Sequence, residues 1–421
     1  MNKFIKIKLK YIADIFNGNS IPDEEKCNYT GKLIPYIPTK EIDINDGKIN
    51  YDNGLSVNID DDFRIAPSNS VLMCIEGGSA GKKIGITDRP VAFVNKLCCI
   101  NGITIDSKYL LYAIKSKDFM EQFFLNITGL IGGVTTSVLK NLYVTIPSNI
   151  EHQNKIILFL ESKCRVIDEL IENLQSQIKK IKEYKQSVIL ETVMNGVNSN
   201  SPLQNTNVEW IGKIPNHWRL CRIKDLYELR NERNYEDLDK VNLISLYTDL
   251  GVVQHSDIKE TTGNKAVTAD GYKKVYKNDI IVNIILCWMG AIGRSNFNGV
   301  TSPAYDVYKP KHGTYSNYYH YLFRTSKFNG ECYRYGRGIM MMRWRTYSTE
   351  FSSMCVPFPP IEEQIAIVNY LDEKCSRIDE FISIKENKIE ELKEYKNSLI
   401  FEYITGKKEV SVWFGVGLYL F

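Results

Sequence analysis

The densest run of side chains able to do recognition chemistry lies between Cys332 and Ser348. Arg334, Arg337, Arg343 and Arg345 stand there with no acid among them, interleaved with Tyr333, Tyr335, Trp344 and Tyr347. Guanidinium forks can address phosphates or the edge of guanine, and aromatic rings give flat contact surface. The competing reading is an exposed basic loop with ordinary Arg–Tyr packing. Arg230 and Arg233 form a weaker pair that reads as solvated, and Arg294 closes the segment Gly290–Arg294. In the first half, Gly77-Gly78-Ser79-Ala80-Gly81-Lys82-Lys83 fails as a nucleotide phosphate loop. Its glycine spacing is one residue short, and Lys83 occupies the place of the magnesium-binding hydroxyl. It reads as a tight turn between strands, or as a turn whose amides, with Lys82 and Lys83, approach a DNA backbone. Lys40, Thr135 and Thr136 complete the first half's polar candidates. The five histidines lack metal-ligand spacing. Motifs of hydrolases, zinc peptidases, methyltransferases and nucleases are missing. No catalytic residue and no metal site are therefore expected, and the candidates point to DNA binding.

What must position these groups is a helix that occurs twice. Ile150–Glu191 and Ile361–Glu402 align without a gap at a constant offset of 211 residues. Identities include Glu151/Glu362, Gln153/Gln364, Cys164/Cys375, Asp168/Asp379 and Lys182–Lys185 against Lys393–Lys396. Such repeats fix architecture before any local reading. Each copy carries a heptad of apolar residues. The seam is Ile157, Leu160, Cys164, Ile167, Ile171 and Ile178 in the first, and Leu371, Cys375, Ile378, Ile382, Ile389 and Leu392 in the second. At about 1.5 Å per residue each helix is roughly 60 Å long. Two separate amphipathic helices are the alternative. The preferred expectation is an antiparallel pair within the chain, with a globular domain at each end.

Composition sets the outer bounds. The 421 residues suffice for two or three domains, and 43% hydrophobic with 24% charged residues is ordinary for a soluble protein. A net charge of only +3 means that any nucleic-acid surface must arise from local clustering. The ten cysteines lack C-x-x-C spacing and several lie in apolar runs, which suits reduced thiols and a cytoplasmic location. No run of about 18 apolar residues exists, so neither a membrane span nor a membrane partner is expected.

In chain order, residues 1–147 read as a strand-rich α+β domain with Tyr109–Phe124 as its one clear helix. Residues 148–196 form the first long helix and 197–208 a Ser/Asn/Pro linker. Residues 209–358 repeat the first domain loosely: Arg222–Leu226 echoes Lys8–Ile12, and Asp279–Asn283 echoes Ser70–Cys74. Residues 359–406 form the second long helix. The remainder, 407–421, matches nothing in the first half and reads as a disordered or aberrant tail.

This pattern resembles the specificity subunits of type I restriction–modification systems. The resemblance rests on Pro359-Pro360-Ile361-Glu362-Glu363-Gln364, Ile378-Asp379, Tyr395–Ile400 and the closing Tyr403-Ile404-Thr405-Gly406. The first half carries the weaker echo Ile146–Gln153, Ile167-Asp168 and Tyr184–Ser187, and Trp210–Trp218 is similar to the start of a recognition domain. Ser148-Asn149 departs from the usual Pro-Pro. The resemblance implies two target recognition domains, each reading one half of a split, asymmetric sequence in double-stranded DNA. It implies that the helices act as a spacer docking two modification (methyltransferase) subunits, joined in the full complex by ATP-dependent restriction/translocase subunits. S-adenosylmethionine, ATP and magnesium would sit on those partners, with no cofactor in this chain. Two rivals come from other classes: a stand-alone DNA methyltransferase or nuclease, and a coiled-coil scaffold that binds only protein.

Overall fold

The computed structural model describes residues 4–129, 132–198, 200–257, 268–338 and 344–410. The expectation for the tail beyond 410 lies outside these residues. The chain divides into two units, Met1–Leu174 with Asn387–Phe421, and Gln175–Glu386. Two helices, Ile150–Asn195 and Ile361–Ile404, contribute to both.

Each long helix has identifiable end signals. Asn149, where the second copy of the repeat has Pro360, accepts the Glu151 backbone N–H at 2.8 Å through Oδ1 and so satisfies an otherwise orphan amide of the first turn. At the other end Gly196 adopts a left-handed φ of 80°, and its N–H reaches the Thr192 carbonyl at 2.9 Å. Gly406 ends the second helix in the same conformation. A Cβ there would strike the Phe4 ring.

In the first unit an antiparallel sheet runs in the order Ala13–Asn17, Leu97–Gly102, Val71–Cys74, Ile84–Ile86. A second, mixed sheet is built around Ile34–Ile37 and Val91–Phe93, which pair in parallel. Phe4–Lys8 pairs antiparallel with Tyr143–Pro147, the strand that leads into the first long helix. The expected single helix over Tyr109–Phe124 is instead two, Ser107–Lys115 and Lys117–Leu125. The reason lies at Ser116. Its backbone is extended, and its hydroxyl donates back to the Ala113 carbonyl at 2.7 Å, closing one helix as the next begins. Buried Leu110, Ile114, Phe119 and Phe123 face the same core as Ile156, Ile157, Leu160 and Ile167 of the first long helix and Leu399 and Ile404 of the second.

The second unit repeats the plan. Its sheet runs Tyr227–Leu229, Tyr305–Pro310, Ile280–Asn283, Ile292–Arg294. Arg219–Arg222 pairs with Cys355–Phe358 just before the second long helix. The helix pair recurs as Ser316–Phe323 and Ser326–Tyr335. Its core joins Tyr318, Leu322 and Phe328 to Val193 and Met194 of the first long helix and Ile367, Val368 and Leu371 of the second. The expected linker is not wholly irregular, because Leu203–Asn205 pairs with Lys213–Pro215 as a short hairpin.

Within each unit the long helices run antiparallel. In the first, the Phe159 and Tyr403 rings lie 4.4 Å apart, and Lys396 Nζ donates to both oxygens of Asp168 at 2.7 Å. In the second, Lys385 reaches Gln177 at 2.7 Å, and Lys185 Nζ donates to both oxygens of Asp379 at 2.7 Å. Residues 168 and 185 become 379 and 396 under the offset of 211, so the two ion pairs are one interaction made twice. Of the seam positions, Ile171 and Leu392 are partly buried. Ile157, Leu160, Cys164, Ile167, Ile178, Leu371, Cys375, Ile378, Ile382 and Ile389 are buried.

These ion pairs are half exposed, so each contributes about 0.2–1 kcal/mol and acts mainly on orientation. Asp168→Lys is therefore expected to lower thermal stability by opposing two ammonium groups. The double change with Lys396→Asp should recover most of the loss in a melting experiment; no recovery would show that the pair does not form.

Candidate nucleic-acid interface

The Gly77–Lys83 segment connects two adjacent strands of the first unit's sheet. Gly81 has a φ of 74°, and a Cβ there would press on Met120 and Phe123, so the turn needs a glycine. Lys83 Nζ donates to the Thr39 carbonyl at 3.0 Å and the Lys40 carbonyl at 3.3 Å, tying this turn to the one that carries Lys40. Lys40 itself is 80% exposed and lies 3.6 Å from Glu41. Lys82 donates to the Gly78 carbonyl at 3.2 Å and stays exposed. The Gly77 N–H donates to the Gly132 carbonyl at 2.8 Å, and the Val134 N–H to the Ile75 carbonyl at 2.9 Å. Thr135 follows directly as the cap of a short helix, and the Thr136 hydroxyl bonds Asn17. Hydrogen bonds thus link the segments that carry all five of the first unit's candidates.

Two open grooves of about 530 and 640 Å³ meet at Asn17 and Thr136. Arg64 and Lys140 line the larger one. Neither was a candidate: Lys140 closes the short helix that Thr136 opens, and Arg64, 72 residues from Thr136 in sequence, is brought there only by the fold.

The second unit's candidates separate into two places. Arg230 was read as solvated; it is not. Its side chain is 11% exposed, it pairs with Asp279 at 2.9 Å and Glu232 at 2.5 Å, and its guanidinium lies 4.4 Å from the Tyr276 ring centroid. Burial pushes the Asp279 carboxyl above its ordinary value while the Arg230 guanidinium pulls it back. A pair buried this deeply is part of the fold, not a surface for DNA. Arg233 donates to the Gly271 carbonyl at 3.0 Å. Arg294 is half-buried, bonded to Asn278 at 2.9 Å and to Asn296. Asp279 and Arg294 flank the paired ends of the strands Ile280–Asn283 and Ile292–Arg294.

The loop after Tyr335 lies at the other end of that strand, where the Thr346 N–H donates to the Ile284 carbonyl at 2.9 Å. Arg337 and Arg345 exchange backbone hydrogen bonds of 2.8 and 2.9 Å, which closes the loop. Trp344 stacks on Tyr333 with centroids 5.0 Å apart, its Nε1 donating to the Tyr333 carbonyl at 2.9 Å, and Trp288 packs against the same tyrosine. A Cβ on Gly336 would collide with the Trp344 indole. Thr346 is fully buried and donates to the Cys332 carbonyl at 2.8 Å. The described residues on either side, Gly336, Arg337 and Trp344–Thr346, are therefore anchored to Tyr333, Cys332 and Ile284.

Acids missing from the Cys332–Ser348 window enter from just outside it. Glu331 holds Arg334 with bonds of 2.8 and 2.7 Å, and Glu350 holds Arg337 at 2.8 Å. The Thr349 hydroxyl and Arg337 keep the Glu350 carboxyl below its usual range. Arg345 has an exposed side chain, and it carries no ion pair among the described residues. Arg343 lies outside the described residues.

Two substitutions separate these roles. Arg345→Ala is expected to weaken binding to duplex DNA roughly tenfold and to leave the melting temperature unchanged. Arg230→Ala should instead destabilise the protein by about 3 kcal/mol, because it strands a buried carboxylate, as read by denaturant unfolding.

Comparison with known proteins follows the same lines. The family model of the type I restriction modification DNA specificity domain matches residues 1–180 and again 215–394. A curated relative, the type I restriction enzyme MjaVIII specificity subunit of Methanocaldococcus jannaschii, is 24% identical over 176 residues. That alignment takes in 41% of this chain and 38% of the relative, so the chain spans well under half of that relative's length. Among solved structures, one described as "Structural basis underlying complex assembly and conformational transition of the type I R-M system" superimposes with a TM-score of 0.71 at 14% identity, covering 96% of this chain and 98% of the other. The HsdS subunit from Thermoanaerobacter tengcongensis gives a TM-score of 0.52 at 14% identity, covering 96% and 97%. These two share the fold. With two copies of the domain in one chain, the protein belongs to the type I restriction–modification DNA specificity family.

Proposed function

We propose that this chain is the non-catalytic recognition subunit of a type I restriction–modification complex, reading an asymmetric, bipartite target in double-stranded DNA. Residues 1–147 and 209–358 act as the two target recognition domains, each reading one half-site. The long helices set the number of base pairs between the halves. The observation that carries this reading is the repeated ion pair, Asp168 with Lys396 and Asp379 with Lys185. Reciprocal pairing of equivalent residues is the mark of a two-fold interface, and two-fold readers bind half-sites at fixed spacing. The two domains share a topology but differ in sequence, so the half-sites differ.

Within each domain, lysines and backbone amides set register on the phosphates, and a few side chains such as Arg345 read base edges. Lys40, Lys82, Lys83, Thr135 and Thr136 serve the first domain, and Arg334, Arg337 and Arg345 the second. The long helices also expose apolar residues on their outer faces: Leu158, Val166 and Leu170 on the first, Phe381 and Ile384 on the second. Such stripes are unusual on a helix whose other face is already packed. They are the surfaces for two modification subunits, which carry S-adenosylmethionine and methylate adenine. ATP-dependent restriction subunits, with magnesium, complete the complex.

Mapping methylated adenines across the host genome, with and without this gene, tests the reading. One bipartite motif should vanish when the gene is deleted. Exchanging residues 1–147 for those of a relative should rewrite one half of the motif and leave the other. Rewriting of both halves, or methyl transfer by the purified chain alone, would overturn the proposal.

A further inference from the structure

Each globular domain grips the long helices at two points, and the points are equivalent in both units. The first is a glutamine in the opening turn of a long helix. Gln153, 3% exposed, accepts the Asp106 backbone N–H at 3.4 Å and donates to the Pro147 carbonyl at 3.1 Å. Gln364, 0% exposed, accepts the Tyr315 backbone N–H at 2.8 Å and donates to the carbonyls of Pro359 at 2.9 Å and Gly313 at 3.2 Å. Asp106 and Tyr315 are the cap residues of Ser107–Lys115 and Ser316–Phe323. The glutamine therefore fastens the start of the domain's helix pair to the long helix that follows the domain in sequence.

The second point is a tyrosine in the first turn of that helix pair. The Tyr109 hydroxyl donates to the Ile404 carbonyl at 2.8 Å, and the Tyr318 hydroxyl donates to the Val193 carbonyl at 2.8 Å. Residues 193 and 404 are the same position of the repeat, separated by 211, and each lies in the last turn of its helix. Carbonyls there have no donor within the helix. Both tyrosines are fully buried, and burial raises their phenols far above the ordinary value, so each remains a donor. The tyrosine thus fastens the same domain to the other long helix.

We infer that Tyr109 and Tyr318, with Gln153 and Gln364, are positioning residues that fix the spacing of half-sites the protein accepts. The inference rests on the bipartite reading. A domain held to a single helix can rock about that contact. Attachment to two helices of opposite direction, made by groups three residues apart in one short segment, removes the rocking freedom. One base-pair step along DNA is about 3.4 Å, so rocking of that size at the reading surface lets a neighbouring spacing bind.

The test uses the full chain assembled with its methyltransferase partners. Methylation rates are measured on duplexes whose half-sites are separated by the native gap, by one base pair fewer and by one more. Tyr109→Phe and Tyr318→Phe remove only a hydroxyl, and Gln153→Met removes the amide at nearly constant volume. The expected result is a drop of about fivefold in preference for the native gap, the scale of one modest hydrogen bond, with both half-site sequences unaltered. An unchanged preference in all three variants overturns the inference. So does an equal loss of rate at every gap, which marks a purely structural role. If Tyr109→Phe does not fold, Tyr318→Phe and Gln153→Met decide between these results. A wild-type complex indifferent to the gap would remove the bipartite reading and this inference with it; gap selectivity retained by the variants removes the inference alone.

Discussion

The structure depends on a helix seam that can close in only one sense. Apolar residues at heptad spacing supply the adhesion, each fully buried leucine or isoleucine being worth about 1.5–3 kcal/mol. Adhesion of that kind has no direction. Direction comes from the charged positions. Because the helices are copies, an in-register parallel pairing would set Asp168 against Asp379 and Lys185 against Lys396. The antiparallel pairing sets each carboxylate against an ammonium group at 2.7 Å. The ion pairs add little stability because they are partly exposed, yet they penalise the wrong arrangement, which is how charges specify helix pairing generally. Cys164 and Cys375 sit beside Lys396 and Lys185 in the same layers, and burial raises both thiols.

From that seam outward the packing is hierarchical. Each globular domain shares one continuous core with parts of both long helices, so neither the domain nor the helix pair is an independent body within its unit. Four polar side chains buried where domain and long helix meet are satisfied by equivalent bonds in the two units. Gln153 and Gln364 complete the backbone of the domain's helix pair, and Tyr109 and Tyr318 cap the carbonyls of a helix end. Leaving such groups unpaired would cost about 1–3 kcal/mol each. Asn149 stands where the second copy has Pro360, and its side chain caps the first helix directly.

The candidate surfaces are built differently in the two units. In the first, the Lys83 side chain ties its turn to the one that carries Lys40, and backbone hydrogen bonds tie it to the segment before Thr135. In the second, Arg334 at the end of a helix is held by Glu331, and Arg337 in the segment that follows is held by Glu350. Fixed acids restrain long side chains and reduce the entropy lost on binding. Shared topology with unlike surfaces suits the proposed reading of two dissimilar half-sites.

The sequence by itself determined the repeat, the two long helices, their seam and the order of domains, because heptad periodicity and a gapless offset are local properties that one chain displays directly. It also singled out the arginine–aromatic loop and the glycine turn. Only the tertiary structure decided which charges were available. Arg230 reads like any surface arginine until the fold buries it against Asp279, and the window without acids acquires Glu331 and Glu350 from its two borders. Arg64 meets Thr136 in one groove only through the fold. The break at Ser116 was equally hidden, since the apolar stripe runs through it unbroken and only the backbone turns. Ion pairing, burial and groove formation depend on residues distant in sequence, and periodicity carries no information about those distances.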